Sequence, residues 1–258
     1  MTEQTRGQWK KAWKHAAFFA AYAVGFVFVW YLVCQAVENE YLFPSLGEIL
    51  RATCRLFTEE FFYTAFLQTL WRVVKVFCVS LLSALVFAVL AKAVPIVERI
   101  LAPLVTALRA LPTMAITLIL LVWSTPARAP VIVAFMALFP ILYTGISTAF
   151  STVDEKLLEM CQAYRVPLRK RIWQLYLPTA LPYLLREALG GASFALKLVV
   201  SAEVLASTFK GVGGMMQLSK IYLDTPRTFA LTLLVIVVGL VMEGLGILLV
   251  KWVERRLQ

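Results

Sequence analysis

From Phe66 to Ala91 the sequence reads FLQTLWRVVKVFCVSLLSALVFAVLA. Arg72 and Lys75 stand in its first turns, and no further charge appears before Lys92. A run of this length matches the roughly 20 residues a helix needs to cross about 30 Å of hydrocarbon. Arg72 and Lys75 are placed to reach outward to headgroups along their aliphatic stems. This stretch decides the fold: the chain reads as an all-α, polytopic membrane protein.

Five more blocks of the same kind occur outside it. They cover about residues 16–37, 101–123, 130–150, 180–206 and 228–250, giving about six spans in one domain, 1–258. Pro112 interrupts the third, Pro140 and Gly145 lie in the fourth, and Pro178 and Pro182 open the fifth. The first block is long and lacks a small-residue cleavage pattern, so it reads as a retained span rather than a signal peptide. Arg6 to Lys14, with Trp9 and Trp13, suits an amphipathic segment at the membrane surface. Residues 46–65 mix Leu46, Ile49, Leu50, Leu56 and Phe57 with charges and read as a short interfacial helix.

Composition agrees. Of 258 residues, 61% are hydrophobic, against about half in an ordinary soluble domain. The mean hydropathy is +0.80. A net charge of +10 raises nucleic acid as a partner. The basic residues flank the apolar blocks, however, where anionic lipid and orientation rules account for them. No nucleic-acid partner is expected. Cys34, Cys54, Cys78 and Cys161 form no close pair, and the single histidine, His15, sits among lysines. They imply no disulfide framework, metal site or cofactor.

Lys and Arg fix the expected orientation. The N-terminal segment, the 92–99 loop, the 151–178 loop and the C-terminal tail hold more than twice as many as the opposite loops. Those carry only Arg51, Arg55, Arg128, Lys210, Lys220 and Arg227. Both ends, and the 151–178 loop, are therefore expected in the cytoplasm. That loop starts acidic at Asp154 and Glu155 and turns basic at Arg169, Lys170 and Arg171. Leu157, Leu158 and Cys161 form one apolar stripe; Leu168, Ile172, Leu175 and Tyr176 form another. Two short helices with a turn near Pro167 follow, docking either on the membrane surface or on a partner.

Several motifs bear on that choice. Glu159-Met160-Cys161 and Leu175-Tyr176-Leu177-Pro178 resemble the two ends of the EAA signature of ABC importer permeases. Phe43-Pro44-Ser45, Thr69-Leu70-Trp71-Arg72, Leu108-Arg109-Ala110-Leu111-Pro112, Phe139-Pro140, Ala202-Glu203 and Gly211-Val212-Gly213 resemble further elements of the same family. Their order agrees from about residue 40 to the C-terminus. They point to its sulfonate, taurine and nitrate group. The resemblance implies a type I importer permease fold with a cytoplasmic coupling helix. It also implies a bacterial inner or plasma membrane location and three partners: an ABC ATPase dimer, a second permease copy, and an extracellular or periplasmic binding protein. Glu159, Ala163, Tyr164, Arg165, Val166, Pro167 and Leu168 are then the ATPase-coupling residues, and ATP hydrolysis belongs to another subunit. One departure stands out: Arg165 occupies the position of the signature's glycine.

Charges within spans are candidate pathway groups by default. Arg109, beside the Pro112 break, could attract an anion. Lys197 and Glu203 fit structural ion pairing inside the bundle better. They are six residues apart, so they cannot form an i,i+4 pair with each other. A secondary carrier for a small solute is the alternative, but such carriers usually show more spans and internal repeats. A membrane enzyme lacks its catalytic pair here, with no Asp in any span. An energy-coupling-factor subunit lacks its Ala-Arg-Gly repeats.

Overall fold

The structure, a computed structural model, describes Ala21 and residues 24–37 and 42–257. The segment Arg6 to Lys14, His15 and the start of the first block lie outside the described residues. Among those described there is no strand. Eleven α-helices follow one another: α1 (Val24–Val37), α2 (Leu46–Leu56), α3 (Glu60–Ala93), α4 (Pro95–Ala110), α5 (Thr113–Trp123), α6 (Ala129–Phe150), α7 (Glu155–Ala163), α8 (Leu168–Arg171), α9 (Leu177–Leu205), α10 (Val212–Ile221) and α11 (Thr225–Leu257). Four of them, α3, α6, α9 and α11, are long and apolar enough to cross a membrane. The bent pair α4–α5 makes a fifth span if counted as one.

Local chemistry explains most boundaries. Ser45 starts α2 with a reciprocal cap: the Glu48 N–H donates to Ser45 Oγ (3.3 Å), and the Ser45 N–H donates to Glu48 Oε2 (2.9 Å). The interfacial helix ends at Leu56, and residues 60–65, expected to belong to it, instead open α3. At 34 residues α3 is about 51 Å long, well beyond the roughly 30 Å of a hydrocarbon core. Val94 alone separates α3 from α4, where Pro95 takes the first turn that needs no N–H partner. The loop expected over 92–99 is thus almost entirely helical. Pro112 breaks the third block as expected, and α4 and α5 meet at 96°.

The core forms where α3, α4, α6 and α9 meet. On α3 the inward residues are Val73, Val76, Ser80, Ala84, Ala88 and Ala91, a seam of mostly small side chains. Small residues let helix backbones approach closely where lipid offers no hydrophobic drive. Leu138, Leu142 and Ile146 of α6 fill the space against Ala195, Leu196 and Val199 of α9. A second cluster joins α2, α3, α10 and α11 through Leu56, Phe62, Ala65, Met215 and Leu231. An ion pair of 2.6 Å from Arg227 Nη2 to Glu59 Oε2 ties the start of α11 to the turn before α3. The outward faces of α3 and α11 expose Val79, Leu82, Val86, Ile236, Leu240 and Leu248, as lipid contact requires.

Candidate functional site

Two polar constructions lie toward opposite ends of α9. At its first end, residues 151–176 form the loop that the sequence singles out. The Asp154 carboxylate accepts from the Lys156 N–H (2.9 Å) and caps α7. Val153, just before α7, and Cys161 on it are buried. Lys92 Nζ donates to Ser151 Oγ (3.2 Å), which links the end of α3 to the start of the loop. The ring of Tyr176 meets that of Phe150 edge-on at 6.1 Å. Between α8 and α9, Ile172–Tyr176 forms one π-helical turn, so the chain runs on helically from Leu168 to Leu205.

The tip of this loop points outward. Glu159, Ala163, Arg165 and Pro167 are exposed, Tyr164 is 80% exposed, and Val166 is half-buried. Leu168 begins α8. Arg165 has φ +48°, the left-handed conformation that favours glycine. The Arg165 N–H donates to the Gln162 carbonyl (3.0 Å) and the Val166 N–H to the Cys161 carbonyl (2.9 Å). These two bonds are the Schellman ending, normally built around glycine. Arg165 therefore makes the turn that the signature assigns to glycine. Arg171 Nε also donates to the Val166 carbonyl (2.9 Å), bracing the turn from the far side.

At the other end of α9, Glu203 is fully buried. Arg72 Nη1 donates to Glu203 Oε1 (2.6 Å) and to the Lys210 carbonyl (2.7 Å). Thr69 Oγ1 donates to Glu203 Oε2 (2.8 Å), and the Gly213 N–H donates to the same oxygen (3.1 Å). Thr69 in turn accepts from the Val212 N–H (2.9 Å). A carboxylate in an apolar bundle needs compensation of this completeness. The glycines are required by close approach. A Cβ on Gly211 would lie 2.6 Å from Glu203 Oε2, and one on Gly213 would lie 2.6 Å from the Val200 carbonyl oxygen.

The remaining pathway candidates lie elsewhere. Arg109 and Pro112 are exposed at the α4–α5 break. Lys197 is exposed on α9 and has no ion-pair partner among the described residues, which departs from the pairing expected of it. It belongs to a stripe of exposed residues at helical spacing: Thr179, Tyr183, Arg186, Gly190, Phe194, Lys197 and Ser201. This face is largely polar, and Glu243, Ile247 and Val250 of α11 line a cavity with its Arg186 and Gly190. Glu203 is turned away from the face, bonded to Arg72, Thr69 and Gly213.

Arg72 is the residue that sequence reasoning misplaced. Its expected course was outward to headgroups, yet it is 7% exposed and bound to Glu203. The signal was present but scattered. Thr69 to Arg72, Ala202-Glu203 and Gly211 to Gly213 read as three separate motifs, and the fold makes them one cluster.

The chain's likeness to known proteins agrees with this architecture. A family model described as "Binding-protein-dependent transport system inner membrane component" matches residues 80–258. Over 165 residues the chain is 30% identical to SsuC of Bacillus subtilis (strain 168), a permease protein named for aliphatic sulfonates transport. That match covers 62% of this chain and 56% of SsuC, so the chain spans a little over half the length of this curated relative. An inward-facing structure of the MetNI methionine ABC transporter superposes with a TM-score of 0.62 at 15% identity, covering 76% of this chain and 99% of that one. An amino acid ABC transporter solved with histidines gives 0.62 at 16%, covering 76% and 94%. At such identities the likeness is one of fold alone. The chain belongs to the family of inner membrane components of binding-protein-dependent transport systems.

Proposed function

We propose that this chain is the permease subunit of an ATP-driven, binding-protein-dependent importer for a small solute such as a sulfonate, taurine, nitrate or a vitamin precursor. One observation carries the reading: the exposed tip from Ala163 to Pro167, capped by its own backbone and braced by Arg171. A lever that transmits the closure of an ATPase must be stiff along its length and accessible at its end. The tip meets both conditions. On this reading it sits in a groove of a separate ATPase subunit, on the cytoplasmic side with both chain ends.

The exposed α9 stripe supports the second part of the proposal. Unpaired charge facing lipid is expensive. The stripe with Lys197 therefore faces a second copy of the chain and the solute path between the two, which Arg109 approaches from the α4–α5 break. Glu203 serves structure rather than the path.

Reconstitution with the ATPase and binding protein tests the coupling. Arg165→Glu should leave assembly intact, lower ATP-driven uptake by at least about ten-fold, and leave basal ATP hydrolysis running. Full coupled uptake in that variant removes the proposal's central support. Uptake driven by a proton gradient without ATP would instead establish a secondary carrier.

A further inference from the structure

A cavity of about 510 Å³ opens on the side of the bundle between α3 and the start of α6. Gln68, Trp71, Arg72 and Lys75 line it from α3, and Arg128 and Ile132 from the other side. Three of its lining residues are cationic, and none is acidic. Arg72 spends only Nη1 on Glu203 and Lys210; its Nε and Nη2 have no hydrogen-bond partner among the described residues. Lys75 lies over the Trp71 ring at 5.3 Å, and neither it nor Arg128 has an ion-pair partner among the described residues. Arg72 is paired with Glu203, which leaves the charges of Lys75 and Arg128 uncompensated among the described residues.

Its level in the membrane follows from helix lengths. The cavity sets residues 68–75 of α3 beside the first turn of α6. Below Lys75, α3 continues without charge to Lys92, about 25 Å of apolar helix. The 22 residues of α6 span about 33 Å from the same level. Both lengths match a hydrocarbon core, so the three cations and Trp71 stand at its boundary, where phosphate groups and interfacial tryptophans occur. Below them Lys75, Val79, Leu82 and Val86 form one exposed stripe on α3.

The geometry points to a binding site for the phosphate of an anionic membrane lipid, held by Arg72, Lys75 and Arg128, with an acyl chain along Val79, Leu82 and Val86. A free oxyanion shares the headgroup chemistry but makes no use of the apolar stripe. A phosphate here engages the free edge of the guanidinium that holds Glu203, and so reports lipid occupancy to the buried cluster.

Native mass spectrometry of the full chain, delipidated in detergent, tests the site with phosphatidylglycerol, phosphatidylcholine and inorganic phosphate as probes. One phosphatidylglycerol should remain bound per chain, while phosphatidylcholine is lost. The variant Lys75→Gln/Arg128→Gln should bind phosphatidylglycerol about 30-fold more weakly, the effect of two cations near a membrane surface. A control with the same charge removed elsewhere, Arg51→Gln/Arg55→Gln, should retain the lipid. Equal retention by the first variant overturns the site. If inorganic phosphate alone raises the melting temperature of the natural chain but not of the first variant, the occupant is a free oxyanion and the lipid assignment falls.

Discussion

The two ends of α9 solve the same problem, holding a polar segment in place, by opposite means. At the loop end every bond ends on backbone: a Schellman ending at Arg165, the Asp154 carboxylate on the Lys156 amide, and the Arg171 guanidinium on the Val166 carbonyl. The side chains of the tip itself, Tyr164 and Arg165 among them, remain exposed to meet something else. At the Glu203 end the side chains themselves are consumed, with one carboxylate held by a guanidinium, a hydroxyl and a backbone amide. The difference separates an end built to present groups from an end built to stay closed. It also explains why charge alone does not identify a transport path, since the most buried charge in the bundle is the one most fully spent.

Substitutions at the two ends test this difference. The largest effect is expected at the closed end. Glu203→Ala strands Arg72 in the bundle and should cost about 3–5 kcal/mol, the penalty of breaking a buried pair. Thermal melting in detergent measures it, and a variant that melts like the natural chain would dissolve the distinction between the ends. Gly213→Ala is next. Its Cβ meets the Val200 carbonyl oxygen at 2.6 Å and the Val204 nitrogen at 2.7 Å, backbone that cannot step aside. A loss of about 1–3 kcal/mol should follow, as for overpacking elsewhere. The smallest effect has the opposite sign. Arg165→Gly relieves a left-handed residue and should stabilise the chain by about 1 kcal/mol. A destabilised Arg165→Gly chain would show that the side chain, not the turn, holds the loop.

Much of this was legible in the sequence, and what was not has a physical reason. The apolar blocks gave the spans because bilayer thickness dictates their length. Pro112 marked the 96° break because proline removes the amide that a continuous helix needs. The extension of α3 down to Glu60 stayed hidden, since Phe61, Phe62 and Tyr63 behind Glu59 and Glu60 suit an interfacial helix as well as the start of a span. Arg72 was ambiguous for a related reason. An arginine a few residues inside an apolar run can turn outward to lipid or inward to a carboxylate. Only the position of Glu203, more than a hundred residues away, decides which. The oddity at Arg165 was visible as a residue out of place, but its left-handed backbone was not.

Arg165 is not alone in that conformation. Ser207 (φ +47°) and Leu223 (φ +56°) end α9 and α10 in the same manner, each with the paired backbone bonds of a glycine ending. Three helices thus stop on side chains that would rather not be there. For protein engineering this is a reserve. Glycine at the three positions leaves every hydrogen bond in place, and the sites lie on separate turns, so their gains should add. The sum is a route to a chain that survives extraction into detergent, and glycine at Ser207 and Leu223 follows it without touching the tip proposed to meet the ATPase.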